Sequence, residues 1–147
     1  MLDLDMAYPP NTLSKLLEAD KDIVGGFYLR RHQPPIPFYF KDTGVRYQVQ
    51  PTWPTEIGVL STAAIPGGGI LIRSEVFQKI RPPHFTFGKK MPDGTGIGED
   101  IYFSQRARDA GYTLWCHTGL IYGHLTELAL TPIYNGEKWT CEYLPVH

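Results

Sequence analysis

Gly98-Glu99-Asp100-Ile101-Tyr102-Phe103, running on to His124, sets the architecture expected of this chain. Gly96 and Gly98 allow a tight loop, which places Glu99 and Asp100 in the first turn of a helix. Carboxylates are favoured there by the helix dipole. Ile101, Phe103, Ala107 and Ala110 recur at helical spacing and predict an apolar face, with Ser104, Gln105, Arg106, Arg108 and Asp109 on the polar one. Gly111 is placed to end the helix. Tyr112 to Cys116 reads as a strand, and Leu120-Ile121-Tyr122 as a second short one before Gly123-His124. By itself the acidic pair is compatible with simple helix capping. A second carboxylate pair, Leu2-Asp3-Leu4-Asp5, stands near the other end of the chain.

Composition narrows the class. The chain has 147 residues, the length of one domain, so 1–147 is read as a single domain. Hydrophobic residues make up 42% and charged residues 20%, enough to bury a core and too apolar for disorder. A formal net charge of -1 argues against a phosphate-backbone partner, so no nucleic acid is expected. Cys116 and Cys141 are too few for a disulfide framework, which favours a reducing, cytoplasmic setting. No apolar run reaches the ~20 residues of a membrane span, and the first residues lack a signal-peptide pattern.

Along the chain, Met1 to Met6 alternates like a strand end. Pro9-Pro10-Asn11-Thr12 then opens a helix to about Ala19 with Leu13, Leu16 and Leu17 inward. Asp22 to Arg31 reads as a strand, in which Gly25-Gly26 signals a bulge or a close backbone approach. Phe38 to Phe40 and Val45 to Val49 predict a hairpin around Asp42-Thr43-Gly44. Ile57 to Ile65 and Ile70 to Ile72 are further strands, and Ser74 is expected to cap a brief helix over 75–80. Arg81 to Gly98 is a long loop, more often functional than neutral at that length. Residues 126–147 read as a polar and aromatic tail with short strands at Glu127 to Leu130 and Lys138 to Tyr143. The alternation predicts an α/β fold, a mixed sheet flanked by helices.

Asp-x-Asp at a strand mouth can hold a hard cation through oxygen, although the pattern alone is common. Its context adds more. Leu2-Asp3-Leu4-Asp5, Pro9-Pro10, Asp20 to Gly26, Gly69 to Phe77, Gly98-Glu99-Asp100, Gly111-Tyr112 and Gly123-His124 follow one another in an order that resembles the family 2-like glycosyltransferases of the GT-A fold. The resemblance covers residues 1–125. It implies a metal-dependent transferase that moves a sugar from a nucleotide-diphosphate donor to an acceptor hydroxyl. On the matching positions it makes Asp5 and His124 ligands of Mn²⁺ or Mg²⁺, the histidine tilting the choice to Mn²⁺. Asp3, Asp5, Gly68 and Gly69 become donor contacts, Asp100 the general base, and Glu99 a sugar or acceptor contact. Family members bind the nucleotide base with a strand-and-helix region ahead of the Asp-x-Asp. Nothing here precedes Met1, so the expected fold is a truncated GT-A, and a sheet edge left open by missing strands would favour homo-oligomers.

Rival readings use the same residues. A haloacid-dehalogenase-type phosphatase also opens on Asp-x-Asp, but Ala7 stands where its motif has Thr or Val. A structural zinc site from Cys116, His117, His84 and His124 matches no tight spacing. Gly67 to Gly69 lacks the Lys-Ser/Thr of a phosphate loop. Arg30 and Arg31 could reach a diphosphate, although a surface pair is the simpler reading. A non-catalytic carbohydrate- or metal-binding remnant is the alternative to the enzyme.

Overall fold

The structure is a computed structural model of the chain and describes residues 1–31, 34–126 and 128–145. Its centre is strand β2, Ile23–Phe27, every residue of which is buried. A strand covered on both faces carries apolar side chains or glycine at each position. β2 runs parallel to β9 (Leu114–Ile121) and antiparallel to β8 (Ile70–Ile72), and β7 (Val59–Thr62) adds to β9 antiparallel. The four-stranded sheet is therefore mixed, in the order β7-β9-β2-β8.

Helices α2 (Ser74–Lys79) and α3 (Glu99–Asp109) supply one layer. Val76, Phe103 and Ala107 pack there with Ile23, Ile65, Ile70 and Leu114. On the other face of the sheet, Leu16 of α1 (Thr12–Glu18) packs with Val24, Tyr28, Leu120 and Tyr122. These are helices on both sides of a mixed sheet, an α/β architecture.

A second sheet is ordered β1-β10-β11-β12 and is wholly antiparallel. Its strands are Met6–Ala7, Gly123–His124, Leu128–Tyr134 and Trp139–Pro145. The expected tail is thus a hairpin that joins the fold. Trp139 meets Phe27 edge-on at 4.8 Å and donates its ring N–H to Pro54 O at 2.8 Å. Two small hairpins complete the chain: β3 (Leu29–Arg30) with β4 (Ile36–Pro37), and β5 (Phe40–Asp42) with β6 (Val49–Pro51).

Several local expectations shift. Tyr112 to Cys116 and Leu120 to Tyr122 are not two strands. β9 runs unbroken through 114–121, alternating buried and half-buried, because Thr118 bonds backbone groups of Glu56 and Gly58 and bridges the polar gap. Only Leu16 of the three α1 leucines turns inward; Leu13 and Leu17 are 62% and 59% exposed. Ser74 is the first helical residue rather than the cap, and Arg73 takes the cap position. The β5–β6 hairpin does not turn tightly at Asp42-Thr43-Gly44: Asp42 is still in the strand and pairs with Val49, and residues 43–48 form the loop between them. Glu127, named above as a strand start, lies outside the described residues.

Candidate functional site

The first residues are held by backbone. The Met1 amino group donates to Ile70 O at 2.8 Å, Ile70 N–H donates to Met1 O at 3.0 Å, and Leu2 bridges Gly69. The chain turns through Leu4-Asp5 and enters β1. There Met6 pairs with His124, Ala7 pairs with Gly123, and Leu125 N–H donates to Asp5 O at 2.8 Å. This register, fixed by main-chain bonds, carries Asp5 to His124 across more than a hundred residues of sequence.

The two side chains meet. His124 Nε2 lies 3.6 Å from Asp5 Oδ2, and the imidazole is 12% exposed. Its other nitrogen, Nδ1, is 2.8 Å from Leu29 O. A carbonyl only accepts, so Nδ1–H donates, and in the neutral ring Nε2 presents its lone pair on the Asp5 side. A backbone acceptor that fixes the tautomer in this way is the usual support of a metal-binding histidine. Arg31 is at the surface as expected, its side chain 47% exposed, and it also reaches this pair. Its Nη2 is 2.7 Å from Asp5 Oδ2 and its Nη1 donates to Leu125 O at 3.0 Å.

Asp3 sits close by. Burial raises its pKa, and the charges of Asp5 and Glu99 raise it further, against the opposite pull of His124 and the N-terminal ammonium. The front and back acidic pairs therefore share one electrostatic neighbourhood.

Asp100 and Glu99 start α3 behind Gly98, whose extended backbone is the cap and whose carbonyl takes the Tyr102 N–H at 2.9 Å. Asp100 is half-buried. Its Oδ1 accepts the Ile101 N–H at 2.7 Å. Burial lifts its pKa above the ordinary 3.8, Glu99 adds to the rise, and hydrogen bonds from the Ile101 and Gly67 amides oppose it. Glu99 is half-buried at the same helix start.

Gly68 and Gly69 have a packing reason to be glycine. A Cβ at Gly68 would overlap the Tyr28 ring, and one at Gly69 would overlap Tyr122. The Gly68 N–H donates to Tyr28 Oη at 2.8 Å, and Gly68 O receives the Tyr8 hydroxyl. Both residues adjoin Asp3, but their free space is filled by tyrosine. Tyr28 stands edge-on to His124 at 5.6 Å, and Tyr8 edge-on to Tyr122 at 4.9 Å. Burial pushes the Tyr28 hydroxyl well above its ordinary range, with Asp100 and Asp3 adding to the rise, so it acts as a neutral donor or acceptor. Nothing in the sequence singles out these tyrosines, which stand among nine.

Among the described residues, no three His, Cys, Asp or Glu side chains form a group that could hold a metal unaided. Asp5 and His124 offer one oxygen and one nitrogen on one side. That donor set fits a cation whose remaining positions are filled by phosphate oxygens and water, as Mg²⁺ and Mn²⁺ take them.

The class defined by this arrangement is an α/β chain with a mixed central sheet and an acidic site at the joint between its two sheets. Among solved structures, the crystal structure of A197 from STIV is similar, with a TM-score of 0.59 at 22% identity. The match covers 99% of this chain and 65% of that one, so this chain spans about two-thirds of that protein's length. At this identity the likeness concerns the fold alone. No protein-family model matches the chain, and no curated protein matches it.

Proposed function

We propose that the chain belongs to the GT-A family 2-like glycosyltransferases and transfers a sugar from a nucleotide-diphosphate donor to an acceptor hydroxyl. The observation that carries this reading is the approach of Asp5 to His124 at 3.6 Å, with the histidine tautomer fixed by Leu29 O. Bound there, Mn²⁺ or Mg²⁺ would neutralise the charge that grows on the diphosphate as the glycosidic bond breaks. Asp5 and His124 would hold it. Asp3 lies beside them to orient the donor's ribose or sugar. The Arg31 guanidinium can exchange its bond with Asp5 for one with a phosphate oxygen, which it can grip with two donors.

Asp100 would take the proton of the acceptor hydroxyl. A carboxylate with a raised pKa is a better base at neutral pH than an ordinary one, and general-base help of this kind is worth ~10²–10⁴-fold in rate. Glu99, its neighbour in the same turn, would contact the sugar or acceptor. Transfer and hydrolysis assays with a panel of labelled nucleotide sugars test the reading. Asp100→Asn is expected to abolish transfer while leaving donor binding intact; equal loss of both would make Asp100 structural.

A second reading has its own observation. Arg31 already satisfies Asp5 Oδ2 at 2.7 Å, so Arg31, Asp5 and His124 can form an ion-paired clasp between the sheets without turnover. On that reading the chain is a carbohydrate- or metal-binding remnant. It predicts that no donor in the panel is consumed while the fold depends on all three side chains.

A further inference from the structure

A cleft lies across α3 from Asp100. Tyr102, two positions on and therefore ~200° around the helix, forms its wall together with Arg46, Tyr47, Lys89, Lys90 and Ile97. Its volume is about 500 Å³, within the range of small-molecule sites. An adjoining hollow of about 540 Å³ shares Arg46, Tyr47 and Tyr102 and adds Lys79, Arg81 and Arg106. Arg46, Lys89 and Lys90 line the cleft itself, and Lys79, Arg81 and Arg106 line the hollow beside it, although the formal net charge is -1.

Asp109 is the one carboxylate on these walls among the described residues, and it is engaged: Arg46 Nη2 is 2.5 Å from its Oδ2 and Gln105 Nε2 donates to its Oδ1 at 3.0 Å. Lys89, Lys90 and Arg81 have no ion-pair partner among the described residues. The lysines do not hang from a loose loop. Residues 89–97 form a small hairpin in which Ile97 N–H donates to Lys89 O at 2.8 Å and Met91 N–H to Thr95 O at 2.8 Å. The opposite wall is braced as well. Tyr47 holds a left-handed backbone at φ 63°, unfavourable for a bulky side chain and a feature that clusters at ligand sites. Its N–H donates to Gln105 Oε1 at 3.1 Å, and its ring lies parallel to Tyr102, 6.0 Å between centroids.

We propose that this cleft is a ligand site for a phosphorylated small molecule, its phosphate on Lys89 and Lys90 and its ring against Tyr47 and Tyr102. A phosphate monoester carries close to two negative charges at neutral pH, which suits two free ammonium groups better than a carboxylate does. Aromatic walls favour a ring as the remainder of the ligand. The site shares no side chain with Asp3, Asp5, Asp100 or His124 and does not depend on sugar transfer.

Calorimetric titration of the full chain with glucose 6-phosphate and with AMP, each beside its dephosphorylated form, tests it. At least one monoester is expected to bind while its dephosphorylated form does not. The exposed double variant Lys89→Glu/Lys90→Glu should keep the wild-type melting temperature and lose about tenfold or more in affinity. Asp5→Ala should bind the monoester as wild type does, which separates this cleft from the acidic site. Neither monoester binding, equal binding by the double variant, or binding of a short RNA with no response to either monoester would overturn the proposal.

Discussion

Asp100 carries two consequences that can be separated. Its native pKa lies above the unfolded 3.8, because burial and Glu99 disfavour its charge. The folded chain therefore holds this proton more tightly than the unfolded one. That contribution is fully present below 3.8 and is lost as pH rises through the native value. Asp100→Asn keeps the acceptor for the Ile101 amide and removes the ionisation. The variant should melt higher than wild type at pH 7, and the gap should close towards pH 3.5, in thermal scans across that range. A gap independent of pH would show that Asp100 is not strained by its charge. Gly26 is a sharper residue-scale case. A Cβ there would run into the Tyr122 ring and the Leu120 carbonyl, both in the packed centre. Gly26→Ala should cost about 1–3 kcal/mol, the usual penalty of overpacking, read from urea unfolding. No loss would mean that the two strands can part without cost.

At the scale of elements, the hairpin β11–β12 should matter as much as a core strand. Trp139 stacks with Trp53, 6.2 Å between centroids, and meets Phe27 edge-on. Trp139→Ala is expected to cost about 3–5 kcal/mol, as large aromatic truncations do, again by urea unfolding. A cost under 1 kcal/mol would make the hairpin an appendage. The same elements mark what the sequence discloses. The wholly apolar β2 and the acidic start of α3 between Gly98 and Gly111 are legible, because burial pattern and helix signals are local. Asp3, Asp5, Glu99, Asp100 and His124 are legible as residues, but only through the order of their motifs. Arg31 and the tyrosines are not, since no spacing rule brings residue 31 to residue 5. That contact needs two non-local arrangements, the pairing of β1 with β10, which sets Asp5 beside His124, and the bonds of His124 to Leu29 O and of Arg31 to Leu125 O, which lay the end of β3 against β10. Nor is the inward turn of Leu16 without Leu13 and Leu17 readable from helical period alone, because it depends on how much of α1 the sheet covers.

At the scale of the whole molecule, the two proposed sites are distinct: an acidic one where the two sheets meet and a basic one between the 43–48 loop and the 89–97 hairpin. Among the described residues no helix is long and apolar enough to cross a membrane. The proposed enzyme depends first on Asp5 and His124 jointly holding a divalent cation for a diphosphate. Electron spin-echo spectroscopy of Mn²⁺ with a nucleoside diphosphate bound to the chain tests it most directly, because a coordinated imidazole nitrogen modulates the echo. Wild type should show nitrogen modulation, His124→Ala should bind Mn²⁺ more weakly and lose it, and Asp5→Ala should bind Mn²⁺ only as the free nucleotide does. Mn²⁺ that binds without nitrogen modulation, or a wild-type chain that adds nothing to the nucleotide's own affinity for the metal, would rule out Asp5 and His124 as its ligands.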